Sequence, residues 1–379
     1  FKNFVDVGYS APEQRIDISH SREPIWEGTT DDKPSSLLIR VSGQKICRPR
    51  AGFGNGRSRM KTVLAIVALA LVTLAGAAPA SAQTTVKFVM DWAFQANHSY
   101  FTLADDNGHF AKEGIRVKID RGYGSGKTVG QVAAGTYDIG FADINVLVKF
   151  NAKNPDNKVF SPYVVFDATL NSVVVLKKSG IRVPKDLRGR SLAAPVYDNS
   201  RILFPIFARA NGFDPAAVKW QSVSGAIRDS LLITGKVDGV TAFETSVVLN
   251  LAKQNILRKD LVVLRYSELG ADFYGQSIVV SEKFAAKNSR LLKGFIRAIV
   301  KGTRDAFADP KAAVASVMKY DNLMKESVEM KRFAMVRDLA VLTPNVKANG
   351  FSHVDAKRLE RTLGLVAKAM KITNPPSPS

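Results

Sequence analysis

Ala134-Gly135-Thr136-Tyr137-Asp138-Ile139-Gly140 recurs a hundred residues later as Thr234-Gly235-Lys236-Val237-Asp238-Gly239-Val240. In both copies a helical stretch stops at a glycine, two residues follow, and an aspartate leads into a short strand-like run. Glycine there is the residue that most readily closes a helix in the left-handed region. Outward from the first copy, strands are predicted at 86–90, 117–120 and 137–141, with helices at 98–106 and 127–134. Around the second copy a strand at 191–195, helices at 201–211 and 226–234, and a strand at 237–243 repeat the plan. Short strands alternating with helices predict an α/β fold with mainly parallel sheets, one for each copy. After about residue 260 a strand pair at 261–266 and 276–280 gives way to helices at 281–307, 310–320, 325–342 and 354–370. The whole reads as two lobes between which the chain crosses twice: 83–173 with 268–374, and 174–267, followed by a tail at 375–379.

With 379 residues, 46% apolar and 23% charged, the chain can bury a sizeable core, which excludes a disordered or collagen-like class. Fifty-four Lys and Arg against 34 Asp and Glu give a net charge of +20. These cations are spread singly or in pairs such as Lys177-Lys178, without an arginine-rich tract or a basic run interleaved with aromatics. They predict a solvated basic surface and no nucleic-acid partner. Met60-Lys61-Thr62, the apolar run 63–76 and Ala80-Ser81-Ala82 read as a secretory signal at 60–82, cleaved after Ala82. Residues 1–59 lack periodicity and are expected to be upstream sequence absent from the working protein. N-terminal sequencing of exported material should begin at Gln83. The single cysteine, Cys47, precedes that point, so the exported part can hold no disulfide, thiolate nucleophile or cysteine-based metal site. A soluble, monomeric, periplasmic product with no lipid attachment follows from the same reading.

Gly122-Tyr123-Gly124-Ser125-Gly126-Lys127-Thr128 looks like a phosphate-binding loop, but Arg121 stands where the first glycine of that signature belongs. What remains is a glycine-rich turn at a helix start, whose backbone N–H groups can hold an anionic or carbonyl group. Tyr197-Asp198-Asn199-Ser200-Arg201 is read as its second-lobe counterpart, with Asp198, Asn199 or Ser200 also suited to capping that helix. Two helix starts facing each other would clamp a small molecule. The four histidines, 20, 98, 109 and 353, have no neighbours at metal-ligand spacing, and no Gly-x-Ser-x-Gly elbow occurs. No metal, cofactor or catalytic residue is therefore expected. Asp91, Trp92 and His98 lie just after the first strand, where α/β folds place ligands.

Asp91-Trp92-x(5)-His98, Asn107-Gly-His-Phe110-Ala-Lys-Glu113-Gly114, the paired Gly-x-x-Asp turns and Asp186-Leu-Arg-Gly-Arg-Ser-Leu together resemble the periplasmic substrate-binding proteins of ABC importers. The likeness spans most of 86–340. It is greatest to the branch for sulfonates, nitrate and thiamine-pyrimidine precursors, related to the fungal thiamine pyrimidine synthase. The resemblance implies a type 2 periplasmic-binding-protein clamshell with two crossovers and a helical C-terminal part. It also implies an ABC permease and ATPase as partners of the loaded protein. On the matching positions, Trp92 with Tyr123 or Tyr197 would stack on a flat ring, and Glu244 would accept from an exocyclic amine. Asp91, Asn97, His98, Ser125 and Asp143 would contribute from one lobe, and Asn199 and Ser200 from the other. Tyr274 would line the cleft or pack at the crossover. The fungal synthase carries a cysteine-rich iron-binding segment where this sequence has 269–276, with no cysteine. Its iron chemistry is accordingly not expected here, while an enzyme of that type and a sensory binding module remain the alternative readings.

Overall fold

The computed structural model describes residues 83–373; the predicted signal, the segment before it and the tail lie outside these residues. Ten strands form two five-stranded sheets. The first sheet contains β1 (Thr84–Val89), β2 (Ile115–Asp120), β3 (Ile139–Asp143), β4 (Val159–Val164) and β10 (Gln276–Ser281), in the order β2-β1-β3-β10-β4. The second contains β5 (Asn171–Leu176), β6 (Ser191–Ala194), β7 (Lys219–Ser222), β8 (Gly239–Phe243) and β9 (Leu261–Arg265), in the order β7-β6-β8-β5-β9. In each sheet two ladders are parallel and two antiparallel, and the odd strand is the one inserted from beyond a crossover. The topology is that of a two-lobed clamshell with two crossovers.

Thirteen helices flank the sheets. In the first lobe they are α1 (Ser99–Asp106), α2 (His109–Lys112), α3 (Ser125–Ala133) and α4 (Ile144–Lys153), and in the second α5 (Asn199–Ala210), α6 (Gly225–Ile233) and α7 (Glu244–Ala252). The C-terminal set is α8 (Glu282–Lys287), α9 (Ser289–Ala308), α10 (Pro310–Met318), α11 (Glu326–Val336), α12 (Pro344–Asn349) and α13 (Ala356–Met370). The repeated turn does the same work in both sheets. Asp138 Oδ2 accepts from Lys87 N at 2.8 Å, and Asp238 Oδ2 accepts from Ser191 N at 2.8 Å. The aspartates thereby fasten the start of β3 to β1 and the start of β8 to β6, each after a glycine, at φ 72° and 68°.

The strands at 261–266 and 276–280 belong to different sheets, β9 ending the second and β10 entering the first, with the second crossover between them. Two expectations need correction. The first crossover occupies 165–170, so a boundary at 173 would cut through β5. Finally, α13 does not belong with the first lobe's core: Val366 and Ala369 pack into the cluster of Leu203, Phe207 and Tyr266 in the second. The first lobe's core is an aromatic lattice, with Phe88 meeting Phe101 at 5.1 Å and Phe295 at 5.0 Å, both edge to face.

Candidate functional site between the lobes

The ends of the parallel strands of the two sheets meet across one cleft, the place where open α/β sheets take ligands. Asp91 and Trp92 follow β1, Asp143 ends β3, Asp198 follows β6 and Phe243 ends β8. The lobes touch. Gly126 N donates to Tyr197 O at 3.1 Å, Asn199 Nδ2 to Asp143 Oδ2 at 3.1 Å, and Ser246 Oγ to Gln95 Oε1 at 2.8 Å. Arg332, on α11, adds a donor to Thr245 O at 2.7 Å. This is a closed arrangement.

Inside it lies a small cavity lined by Asp91, Trp92, Gln95, Asn97, Asp198, Asn199, Arg228, Phe243 and Ser246. The centre of a water-sized sphere can reach about 20 Å³ of it. By the same measure an adjoining outer groove of about 760 Å³ runs between Arg121 and Tyr123 on one side and 195–197 and 222–226 on the other. Trp92 and Gln95 wall both spaces.

The buried carboxylates are held in different ways. Asp91 Oδ1 accepts from His98 Nε2 at 2.9 Å, and its Oδ2 from Gln276 Nε2 at 2.5 Å. His98 Nδ1 accepts from Gln95 N at 3.2 Å, which assigns the neutral tautomer with its hydrogen on Nε2. Asp143 is fully buried and accepts from Asn145 N, Asn145 Nδ2, Asn171 Nδ2 and Asn199 Nδ2. Burial raises its pKa against those four donors. Asp198 caps α5 by accepting from Arg201 N at 3.0 Å. Burial pushes its carboxyl up to about 6, opposed by the Arg228 charge and assisted by that of Asp91.

That raised value belongs to the closed arrangement, since opening returns the carboxylate to water. The closed form therefore binds more protons between about pH 4 and 6, and closure without a solute should grow as pH falls through that window. Scattering should record a smaller radius of gyration at pH 5 than at pH 7.5. Asp198→Asn, which preserves the cap, should flatten most of the difference, with Asp143 supplying the remainder. Matching pH profiles for the variant and the parent would contradict this.

Of the expected site residues, the structure brings Asp91, Trp92, Asn97 and Asn199 to the inner cavity, and Trp92, Tyr123 and Tyr197 to the outer groove. His98, Ser125, Asp143 and Ser200 lie fully buried behind these, as supports. Ser125 Oγ accepts from Asp143 N, and Ser200 Oγ donates to Asn171 Oδ1. Glu244 is not among the residues that line either space; its Oε2 accepts from Arg265 Nε at 2.5 Å, and its Oε1 is buried without a partner. Tyr274 packs at the second crossover, where Asp355 N donates to its hydroxyl and Arg358 lies 4.2 Å from its ring centre.

The anion reading of the glycine-rich turn is also corrected, because Gly124 N and Gly126 N donate to Asp91 O and Tyr197 O. The helix starts of α3 and α5 do face each other, but in direct contact. In the repeat the counterpart of α3 is α6, since the two precede β3 and β8 in matching places, while α5 matches α1. Sequence reasoning missed Gln95, Arg228 and Ser246. Arg228 is a charged residue inside a helix, which reads as surface, yet it is 2% exposed and lies 5.7 Å from the Trp92 ring.

A family model described as NMT1/THI5 like matches residues 95–313. A formylaminopyrimidine-binding protein of Halalkalibacterium halodurans is 24% identical over 66% of this chain and 75% of its own length. A 4-amino-5-hydroxymethyl-2-methylpyrimidine phosphate synthase of Aspergillus parasiticus is 25% identical over 65% of this chain and 74% of its own. Among solved structures, the alkanesulfonate-binding protein SsuA from Xanthomonas axonopodis pv. citri, bound to MOPS, superposes with a TM-score of 0.59. It shares 14% identity and covers 77% of this chain and 96% of its own. The shared architecture is the periplasmic-binding-protein fold.

Proposed function

This chain belongs to the NMT1/THI5-like family, and from that premise we propose that it is an exported solute-binding protein for a small nitrogen heterocycle. It holds the solute between its lobes and delivers it unchanged to an ABC permease. The observation that carries this reading is the cleft itself. Two sheets close over a small cavity whose walls are an indole, a phenylalanine ring and a set of buried polar side chains. A ring lying on Trp92 would reach from the inner cavity into the outer groove, with its edge towards Asp91, Asn97 and Asp198. The name of the Halalkalibacterium relative supports a pyrimidine as the ring. The predicted signal at 60–82 supports a periplasmic site of action.

Thermal shift with substituted aminopyrimidines tests the reading. A solute at 100 times its dissociation constant should stabilise the chain by about 2.7 kcal/mol. Trp92→Ala should weaken the same solute about tenfold, through lost aromatic contact. An unshifted response of that variant would contradict the placement of the ring. A second reading, synthesis of a pyrimidine, is favoured by the name of the Aspergillus relative. Appearance of a new product during incubation would support it.

A further inference from the structure

Resting on the binding reading above, we propose that the solute is a cation, a protonated amine or an amidinium, and that Asp91 and Asp198 hold it from opposite lobes. The charged side chains that line the inner cavity are Asp91, Asp198 and Arg228. Asp91 is met by neutral donors, the His98 Nε2–H and the Gln276 amide. Asp198 is met by the backbone N–H of Arg201. These dipoles steady the two negative charges without cancelling them.

Arg228 cannot balance both. Its Nε donates to Asp229 Oδ1 at 2.9 Å, and its Nη1 reaches Thr241 O at 3.4 Å. Asp229 lines the outer groove, and its second oxygen accepts from Asn250 Nδ2 at 2.9 Å. Three carboxylates thus stand against two guanidinium groups, Arg228 and, beside Asp198, Arg201, whose charge interacts with that carboxylate. Arg201 Nη1 itself donates to neutral acceptors, Ala194 O and Ser222 Oγ, and the Tyr266 hydroxyl donates to Ser200 O, so the negative charges remain in excess. Gln276, fully buried, spends its Nε2 on Asp91 and keeps Oε1 without a partner. One buried acceptor next to Asp91 is therefore left without a donor from the chain.

Burying two like charges in one cavity opposes closure, and a positive group between them reverses the sign. A sulfonate, which the Xanthomonas fold relative is named for binding, would meet the wrong charge. The solute's charge thus acts as a condition for shutting.

Three planar probes of similar size separate the possibilities: benzamidine as cation, benzamide as neutral isostere and benzenesulfonate as anion, each titrated calorimetrically into the full chain. The expected order is benzamidine tightest by at least about tenfold over benzamide, with benzenesulfonate showing no binding. Asp198→Asn and, separately, Asp91→Asn should erase the gap between benzamidine and benzamide. Circular dichroism would verify that both variants remain folded. Equal binding of the three, preference for the sulfonate, or failure of benzamidine to bind overturns the charge assignment. If neutral heterocycles still stabilise the chain, the binding reading survives that result. If no solute of any charge does so, both fall.

Discussion

Replacing Gly225 by alanine is expected to weaken solute binding about thirtyfold while leaving the melting temperature of the solute-free chain unchanged or slightly raised. A Cβ at Gly225 would lie 2.5 Å from Cζ2 of Trp92, which belongs to the opposite lobe. In the closed arrangement, then, either the indole leaves its place in the cavity wall or the lobes stop short of contact. Both outcomes cost affinity, and the overpacking penalty of about 2 kcal/mol corresponds to roughly thirtyfold. With the lobes apart the clash vanishes. Gly225 opens α6 with no positive φ, and alanine is the better helix former there. Isothermal titration and thermal unfolding of the same variant check the two halves of the prediction. A variant that binds normally would place the closing contact elsewhere, and one that melts far earlier would show Gly225 to be needed within its own lobe.

Asp143→Ala is expected to destabilise the chain by about 3–5 kcal/mol, lowering its melting temperature by roughly 5–10 °C. The Asp143 carboxylate gathers four N–H donors from Asn145, Asn171 and Asn199, and no described atom of it reaches solvent. Removing it takes an acceptor from donors at the starts of α4, β5 and α5, of which Asn145 Nδ2 and Asn199 Nδ2 keep a second partner in Tyr274 O and Asn171 Oδ1. Asp143→Asn is expected to fall between parent and alanine variant. Its amide nitrogen can no longer accept, but its oxygen still satisfies part of the set. Differential scanning calorimetry distinguishes the three proteins, and equal melting temperatures would mean that the network contributes nothing to stability.

Much of the architecture was legible because local chemistry repeats. Gly135 and Gly235 stop helices, and Asp138 and Asp238 tie down strands through identical backbone bonds. Three strands escaped notice, β4 and β5 on either side of the first crossover and the four-residue β7 at the edge of the second sheet. Every residue of β5 is buried, and its apolar part, 173–176, lacks the alternation that marks a half-exposed strand. Strand partners were not legible in this way: β10 pairs with β3, formed more than a hundred residues earlier, which no local pattern announces.

The site was legible at positions that follow strand ends, such as Asp91, Trp92 and Asn199. It was not legible where the role depends on the second lobe. Glu244 follows a strand end too, but one of its oxygens is taken by Arg265, 21 residues away on β9, across the intervening β5. Arg228 and Ser246 sit on ordinary helices and acquire a role only when those helices approach Trp92 and Gln95.

The central claim is that the two lobes shut upon a solute that leaves chemically unaltered. Small-angle scattering of the purified chain, with and without a saturating aminopyrimidine and followed by mass spectrometry of the recovered compound, tests it most directly. The account predicts a smaller radius of gyration with the solute present and recovery of the solute at its original mass. Superimposable curves, or a compound returned with a changed mass, would contradict it.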